Sequence, residues 1–365
     1  MRVTSVVGAR PNFMKIAPLA AAFTRAGGFD HRIVHTGQHY DQAMSAVFFE
    51  ELGIPRPNVD LGVGSGSHAV QTGQVMIAFE QDCLAHPPDL VLVVGDVNST
   101  MAATLVAAKL GIPVGHVEAG LRSFDRAMPE EVNRLVTDRL SDLLLTTSRD
   151  ADENLVREGV DRNRIHFVGN VMIDTLLQHR EKANGLAVSE RFSLEPGQYA
   201  LMTLHRPSNV DNMAVLYGIL DAVREIAEST PVIFPIHPRT SRRIREFELD
   251  GMVREGVHVC DPMGYLEFLN LTANAKFVLT DSGGLQEETT ILGVPCLTLR
   301  ENTERPVTIT DGTNELVGPD QQKIIEAAGR ISRGEWKELR VPELWDGNAA
   351  ERIVGVLGEW GNSAE

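Results

Sequence analysis

Residues 90–120 read LVLVVGDVNSTMAATLVAAKLGIPVGHVEAG, and this stretch decides the fold. Leu90 to Val94 is an unbroken apolar run without the in–out alternation of a half-wet strand, the pattern expected of a strand buried on both faces. Gly95-Asp96 ends it, a helix-length stretch follows with Ser99 placed as its cap, and Val114 to Val117 opens a second strand. Strand, helix, strand is the βαβ unit of a parallel sheet.

The same rhythm continues outward from this core. Strand candidates on one side are Val3 to Val7 and Arg32 to Thr36; on the other are Leu143 to Thr146 and Ile165 to Val168. A second set comprises Ala200 to Thr203, Val232 to Ile236, Val257 to Val259, Phe277 to Leu279 and Pro295 to Leu299. Helical runs lie between them: Ile16, Leu19, Ala20 and Phe23 share one face, as do Val132, Leu135, Val136 and Leu140. The rhythm lapses between Gln178 and Gln198 and then restarts. The 365 residues exceed what one core usually supports. The expectation is an α/β protein of two Rossmann-like doubly wound domains, residues 1–169 and 170–349, facing across a cleft at their strand C-termini. A final helix, 350–365, is expected to return to the first domain.

Composition narrows the partners. Asp plus Glu number 50 against 34 Lys plus Arg, a net charge of −16 that repels nucleic acid and anionic lipid. A phosphate-bearing ligand must therefore meet a local cluster of positive groups. Cys83, Cys260 and Cys296 are sparse and lack metal spacing, which points to a reducing compartment. Met1 to Val7 reads as a strand and not a signal peptide, and no apolar stretch is long enough to span a membrane. The expected location is the cytoplasm.

Five motifs sit at strand ends or helix starts. Gly8-Ala9-Arg10-Pro11-Asn12-Phe13-Met14-Lys15 places Arg10 and Lys15 about a helix start, where cations oppose the helix dipole unless an anion lies between them. In Val94-Gly95-Asp96-Val97-Asn98-Ser99-Thr100, Asp96 is read as a helix cap or a ligand contact. In His116-Val117-Glu118-Ala119-Gly120-Leu121-Arg122, His116 and Glu118 alternate onto one side of a strand end. A zinc deaminase reading of His-x-Glu fails because Pro295-Cys296 lacks its second cysteine; a bridge from Glu118 to Arg122 is the plain alternative. Pro129-Glu130-Glu131-Val132-Asn133-Arg134 opens a helix, where the dipole alone favours glutamates. Asp96, Glu118 and Glu130 nevertheless form a set of acids at strand ends and helix starts of one domain, suited to proton transfer at separate steps.

The fifth motif is Asp281-Ser282-Gly283-Gly284-Leu285-Gln286-Glu287-Glu288. Ser282, Gly283 and Gly284 expose backbone N–H groups at a helix start, a cradle for phosphate, with Glu288 one turn on to accept sugar hydroxyls; a purely structural turn is the alternative. Leu204-His205-Arg206-Pro207, Ile236-His237-Pro238-Arg239 and Glu304-Arg305-Pro306 add basic groups at strand ends in the same half. Gly62-Val63-Gly64-Ser65-Gly66-Ser67-His68 reads as a flexible loop or lid. No G-x-G-x-x-G follows a strand and no G-x-x-x-x-G-K-[ST] is present, so nicotinamide and P-loop chemistry are disfavoured.

These motifs, with Gly37-Gln38-His39-Tyr40-Asp41, resemble in order the non-hydrolysing UDP-N-acetylglucosamine 2-epimerases from residue 5 to about 318. The resemblance implies a glycosyltransferase-B-like fold and reversible interconversion of UDP-N-acetylglucosamine and UDP-N-acetylmannosamine. It also implies a homodimer and a role in making cell-surface polysaccharide precursors, with no metal and no cofactor. Carried over by position, Asp96, Glu118 and Glu130 handle protons, and His205 lies near the diphosphate or the reacting sugar. Arg10, His237, Ser282, Gly283, Gly284, Glu288 and Arg305 hold UDP, and Lys15 assists near the phosphates.

One departure bears on regulation. Some bacterial members carry Gln-His-Arg-Glu, part of an activating second substrate site, where this chain has Gln38-His39-Tyr40-Asp41; simple hyperbolic kinetics are expected here. The Tyr-Asp version, with Val47-Phe48-Phe49-Glu50-Glu51-Leu52-Gly53, also resembles relatives acting on 2,3-diacetamido uronic-acid nucleotides. The other rivals are a hydrolysing relative that releases N-acetylmannosamine and UDP, a UDP-sugar glycosyltransferase, and a sensor without turnover.

Overall fold

The unbroken apolar runs become central strands. In the computed structural model, which describes residues 1–8, 10–37, 52–253 and 256–363 without the side chains of residues 10, 11 and 363, Leu90–Val94 and Leu143–Thr146 are buried along their whole length. Residues 38–41 and 47–51 and the Arg10 side chain, all singled out in the sequence, lie outside what is described.

The chain divides into two compact units, 1–178 with 343–365, and 179–342. The division falls inside the helix Val171–Asn184 rather than before it. Segment 343–349, assigned from sequence to the second domain, belongs with the first unit: Trp345 is buried and donates to Thr147 O at 2.9 Å.

The first unit is a seven-stranded parallel sheet of β1 (Arg2–Val7), β2 (Asp30–His35), β3 (Val59–Asp60), β4 (Leu90–Val94), β5 (Val114–Ala119), β6 (Leu143–Thr146) and β7 (Ile165–Phe167), in the order β3-β2-β1-β4-β5-β6-β7. Helix Arg10–Ala26 buries Ile16, Leu19, Ala20 and Phe23 as its periodicity required. The last helix, Ala349–Ser363, belongs to this unit; Asp174 caps it by accepting from the Ala349 and Ala350 amides at 3.1 and 2.7 Å. The glycine-rich stretch before helix His68–Ala85 is anchored, with Val63 N donating to Thr36 O at 2.9 Å and Ser67 capping the helix.

The second unit is a six-stranded parallel sheet of β8 (Ala200–Thr203), β9 (Val232–Pro235), β10 (Val257–Cys260), β11 (Phe277–Thr280), β12 (Cys296–Thr298) and β13 (Asn314–Leu316), ordered β10-β9-β8-β11-β12-β13. Both units are thus doubly wound, as expected. The two strands missing from the sequence reading, β3 and β13, are short edge strands, too brief for any periodicity to register.

Two helical expectations fail. Ser99 does not cap helix Asn98–Lys109: Val97 holds the cap position without a side-chain bond, and Ser99 Oγ instead meets Thr36 Oγ1 at 2.8 Å. In helix Pro129–Leu140 the shared apolar face is not the buried one. Glu131, Asn133, Arg134, Thr137 and Asp138 point inward, while Val132 and Leu140 are exposed. Among the described residues no helix is long and apolar enough to cross a membrane.

Candidate active site

In each unit the strand order reverses at one place, and open α/β sheets bind ligands beside the carboxyl ends of the strands there. In the first unit that place lies between β1 and β4. Asn12 ties the two loops together, its Oδ1 accepting from Gly8 N at 3.3 Å and its Nδ2 donating to Val94 O at 2.9 Å. One turn further on, the buried Lys15 ammonium donates to the Glu118 carboxylate arriving from β5. Gly95 must be glycine here. Its φ is +70°, and a Cβ would fall 3.2 Å from Lys15 Nζ and 3.3 Å from Glu118 Oε2.

Glu118 does not follow simple alternation from His116. A bulge interrupts β5 between Val117 and Ala119, and Glu118 takes a left-handed φ of 74°. That conformation costs a non-glycine residue about 1–3 kcal/mol and recurs at functional sites. Nor does Glu118 bridge to Arg122, which donates to Glu158 at 2.8 and 2.7 Å and pairs with Asp138 at 2.6 Å.

Asp96 is not a helix cap. Its carboxylate accepts from Arg134 Nε and Nη2 at 3.1 and 2.7 Å, and Asn133 Nδ2 donates to its carbonyl at 2.8 Å. Of the two glutamates opening helix Pro129–Leu140, Glu131 is committed to structure: it accepts from Ser123 N, Ser123 Oγ, Phe124 N and Arg134 Nη1 at 2.6–3.0 Å. Glu130 is left half-buried in the first turn, on the helical row that continues through Arg134 and Asp138.

In the second unit the order reverses between β8 and β11, and the sequence-read groups stand at neighbouring strand ends: His237 after β9, His205 after β8, and Asp281 to Gly284 after β11. Fully buried Asp281 accepts from the His205 and Arg206 amides at 3.0 and 2.8 Å and from His205 Nδ1 at 2.9 Å. Burial pushes the Asp281 carboxyl up, but the His205 hydrogen bond and charge outweigh it and hold the carboxyl below its usual range. The bond fixes His205 with Nδ1–H inward and Nε2 outward. The His237 ring lies 5.6 Å from that of His205. His237 Nδ1 accepts from Arg239 N at 3.1 Å, which caps helix Pro238–Glu246 and leaves Nε2 as the N–H edge. Burial, then the neighbouring His205, lowers its pKa.

Helix Gly283–Leu292 starts at Ser282 without a side-chain cap, so its first N–H groups are not taken by Ser282 Oγ. The Arg305 guanidinium lies directly on Gly283: a Cβ there would be 2.6 Å from Nη1. Arg305 is held by Glu287 at 2.6 Å and Glu304 at 2.5 Å, and Arg300 also pairs with Glu304, at 2.7 Å. Glu288, one turn beyond Gly284, is buried against Tyr265. Burial pushes its carboxyl up to about 8, the Tyr265 hydroxyl opposing and the Glu287 charge adding.

A profile of the family described as UDP-N-acetylglucosamine 2-epimerase matches residues 21–358. The chain belongs to this family. It is 44% identical to the UDP-N-acetylglucosamine 2-epimerase of Methanocaldococcus jannaschii, covering 98% of this chain and 99% of that protein. It is 41% identical to the UDP-2,3-diacetamido-2,3-dideoxy-D-glucuronate 2-epimerase of Pseudomonas aeruginosa, covering 98% and 100%. The crystal structure of the M. jannaschii protein in complex with UDP-GlcNAc and UDP superposes with a TM-score of 0.90, covering 98% of this chain and 100% of that one.

In the first unit of this epimerase-family chain, Lys15 and Glu118 are in contact and Asp96 stands on the neighbouring strand end. In the second, His205, His237 and the Ser282–Gly284 helix start stand at neighbouring strand ends, with Arg305 over Gly283. Sequence reasoning gave no role to Asn12, Arg134, Asp138, Glu287 or Glu304. The polar row Glu130, Arg134, Asp138 at four-residue spacing was the available signal for Arg134 and Asp138.

Proposed function

We propose that this chain interconverts UDP-N-acetylglucosamine and UDP-N-acetylmannosamine by eliminating and re-adding UDP. The observation that carries the reading is the meeting of Lys15 with Glu118, on a strained bulge, beside the strand end bearing Asp96. Backbone strain and a buried ion pair cluster at functional sites, and proton transfer is a use for both at a sheet's switch point.

Carbon 2 of the hexosamine has no adjacent carbonyl, so its proton is poorly acidic and enolisation is closed. Elimination remains. A carboxylate removes the C2 proton as the C1–O bond breaks, its electrons leaving with UDP, and a 1,2-unsaturated glycal forms. UDP oxygen then adds back at C1 while a second carboxyl delivers a proton to the opposite face of C2. Asp96, Glu118 and Glu130 are assigned to these transfers. The diphosphate gains charge on leaving; Arg305, the Ser282–Gly284 helix start, His205, His237 and Arg10 are assigned to stabilise it, with Lys15 assisting. Glu288 is assigned to the ribose hydroxyls.

The test is incubation with UDP-N-acetylglucosamine in deuterated water. UDP-N-acetylmannosamine carrying deuterium at C2 is the expected product. Free N-acetylmannosamine selects a hydrolase, and no exchange with any UDP-hexosamine removes the reading. A second substrate deserves the same assay, the UDP-2,3-diacetamido uronic acid, because the P. aeruginosa relative aligns with 98% of the chain at an identity close to that of the M. jannaschii one.

We also propose a homodimer. Val70, Ile77 and Leu84 are 53%, 64% and 66% exposed and lie seven residues apart on one face of helix His68–Ala85. Helix Asn98–Lys109 packs between this helix and Pro129–Leu140, whose apolar side also faces outward. Single exposed apolar residues are ordinary, but an aligned row beside an outward-facing apolar face fits a self-association surface.

A further inference from the structure

Of the acids assigned to proton transfer, Asp96 follows β4 and Glu118 lies on β5, and one buried carboxylate, Asp138, is tied to both strand ends through its partners. Asp138, on the inner row of helix Pro129–Leu140, is 1% exposed. Its Oδ1 accepts from His116 Nδ1 at 2.6 Å. Its Oδ2 accepts from Gly120 N at 3.1 Å and pairs with Arg122 at 2.6 Å. Glu118 lies midway between His116 and Gly120, so Asp138 grips the chain two residues before the bulge and two residues after it. His116 is wholly buried, and its other nitrogen, Nε2, meets Gly95 O at 2.9 Å. Gly95 O belongs to the peptide that leads into Asp96. The same helix holds the Asp96 carboxylate through Arg134.

Both His116 nitrogens face oxygens within hydrogen-bond distance, the Asp138 carboxylate on one side and the Gly95 carbonyl on the other. Glu118 is left-handed at this strand end, a conformation that a non-glycine residue keeps only where its surroundings over-determine it.

We propose that His116 and Asp138 are positioning residues, a doubly donating clamp that sets the distance between Asp96 and Glu118. The inference rests on the epimerase reading for its kinetic consequence and on hydrogen-bond geometry alone for the clamp. Positioning errors of about 1 Å cost about 100-fold in rate, so His116→Gln, which cannot donate to both oxygens, is expected to lower kcat roughly 100-fold while the UDP dissociation constant stays within about twofold. Asp138→Asn is expected to do the same. Nitrogen-15 spectra of the unsubstituted protein at neutral pH should show both His116 ring nitrogens protonated, with the second signal lost in Asp138→Asn.

A kcat within threefold of the parent in folded His116→Gln would overturn the proposal, as would a singly protonated His116 ring. A variant that fails to fold moves the decision to the spectra, which need no substitution. If the parent itself exchanges no C2 proton, the epimerase reading has failed, and the spectra still decide the clamp.

Discussion

Replacing Gly283 by alanine sets two effects of opposite sign against each other. Gly283 begins a helix with an ordinary backbone φ, so propensity alone predicts that alanine stabilises by up to about 1 kcal/mol. The new Cβ, however, would lie 2.6 Å from Arg305 Nη1 and 2.8 Å from Glu304 Oε1, where unstrained non-bonded contacts settle at about 3.5 Å. Arg305 must give way by roughly 0.9 Å on that measure, yet it is held at 2.6 and 2.5 Å by Glu287 and Glu304. A shift of that size breaks at least one charged hydrogen bond, worth about 1.5–3 kcal/mol, and this outweighs the propensity gain. If Arg305 and the helix start hold the diphosphate, UDP affinity falls by a similar energy, about 10-fold to 100-fold. Calorimetric titration with UDP, alongside thermal melts, reads both quantities. Unchanged UDP affinity together with a melting temperature at or above the parent's would refute the reasoning. The companion variant is Gly95→Ala, which crowds the Lys15–Glu118 pair from a left-handed position. It should lower turnover while leaving UDP affinity near the parent's, and equal loss of both would erase the division of labour between the units.

Three further outcomes are expected. Asp96→Asn should slow turnover far more than it weakens UDP binding; parallel loss in both would reassign Asp96 to ligand holding or fold support. Glu288 binds its proton more tightly folded than unfolded, so between the ordinary carboxyl range and about pH 8 the folded chain holds more protons and stability falls as pH rises. Glu288→Gln removes that titration, and its denaturant midpoint relative to the parent should climb from pH 6 to pH 9; a constant difference would contradict the raised carboxyl. Ile77→Asp, on the exposed row, should convert a dimer to monomer by light scattering, and an unaltered mass would move the interface elsewhere.

The strands were legible because burial on both faces leaves an unmistakable record, an apolar run such as Leu90 to Val94 with no alternation. The punctuation after those runs was equally readable, since Gly95-Asp96, the glutamates at Pro129 and Asp281-Ser282-Gly283-Gly284 are residue types that strand ends and helix starts require. Helix Pro129–Leu140 was misread for a physical reason. Periodicity finds two faces but not which is inward, and an apolar row is assigned to the core by default. Here the polar row is buried because it serves Asp96, Glu131's loop and His116, and the apolar row is left outside.

The amino-acid order determined the two doubly wound units and the residue types waiting at their strand ends, because backbone periodicity and turn chemistry are local. Only the tertiary structure decided who partners whom: Glu118 with Lys15 across 103 positions rather than with nearby Arg122, Asp96 with Arg134, and Arg305 over Gly283. A carboxylate carries no mark of its partner in sequence. The bulge, the left-handed turn and the packing of neighbouring strands choose that partner by bringing one cation, and not another, within reach.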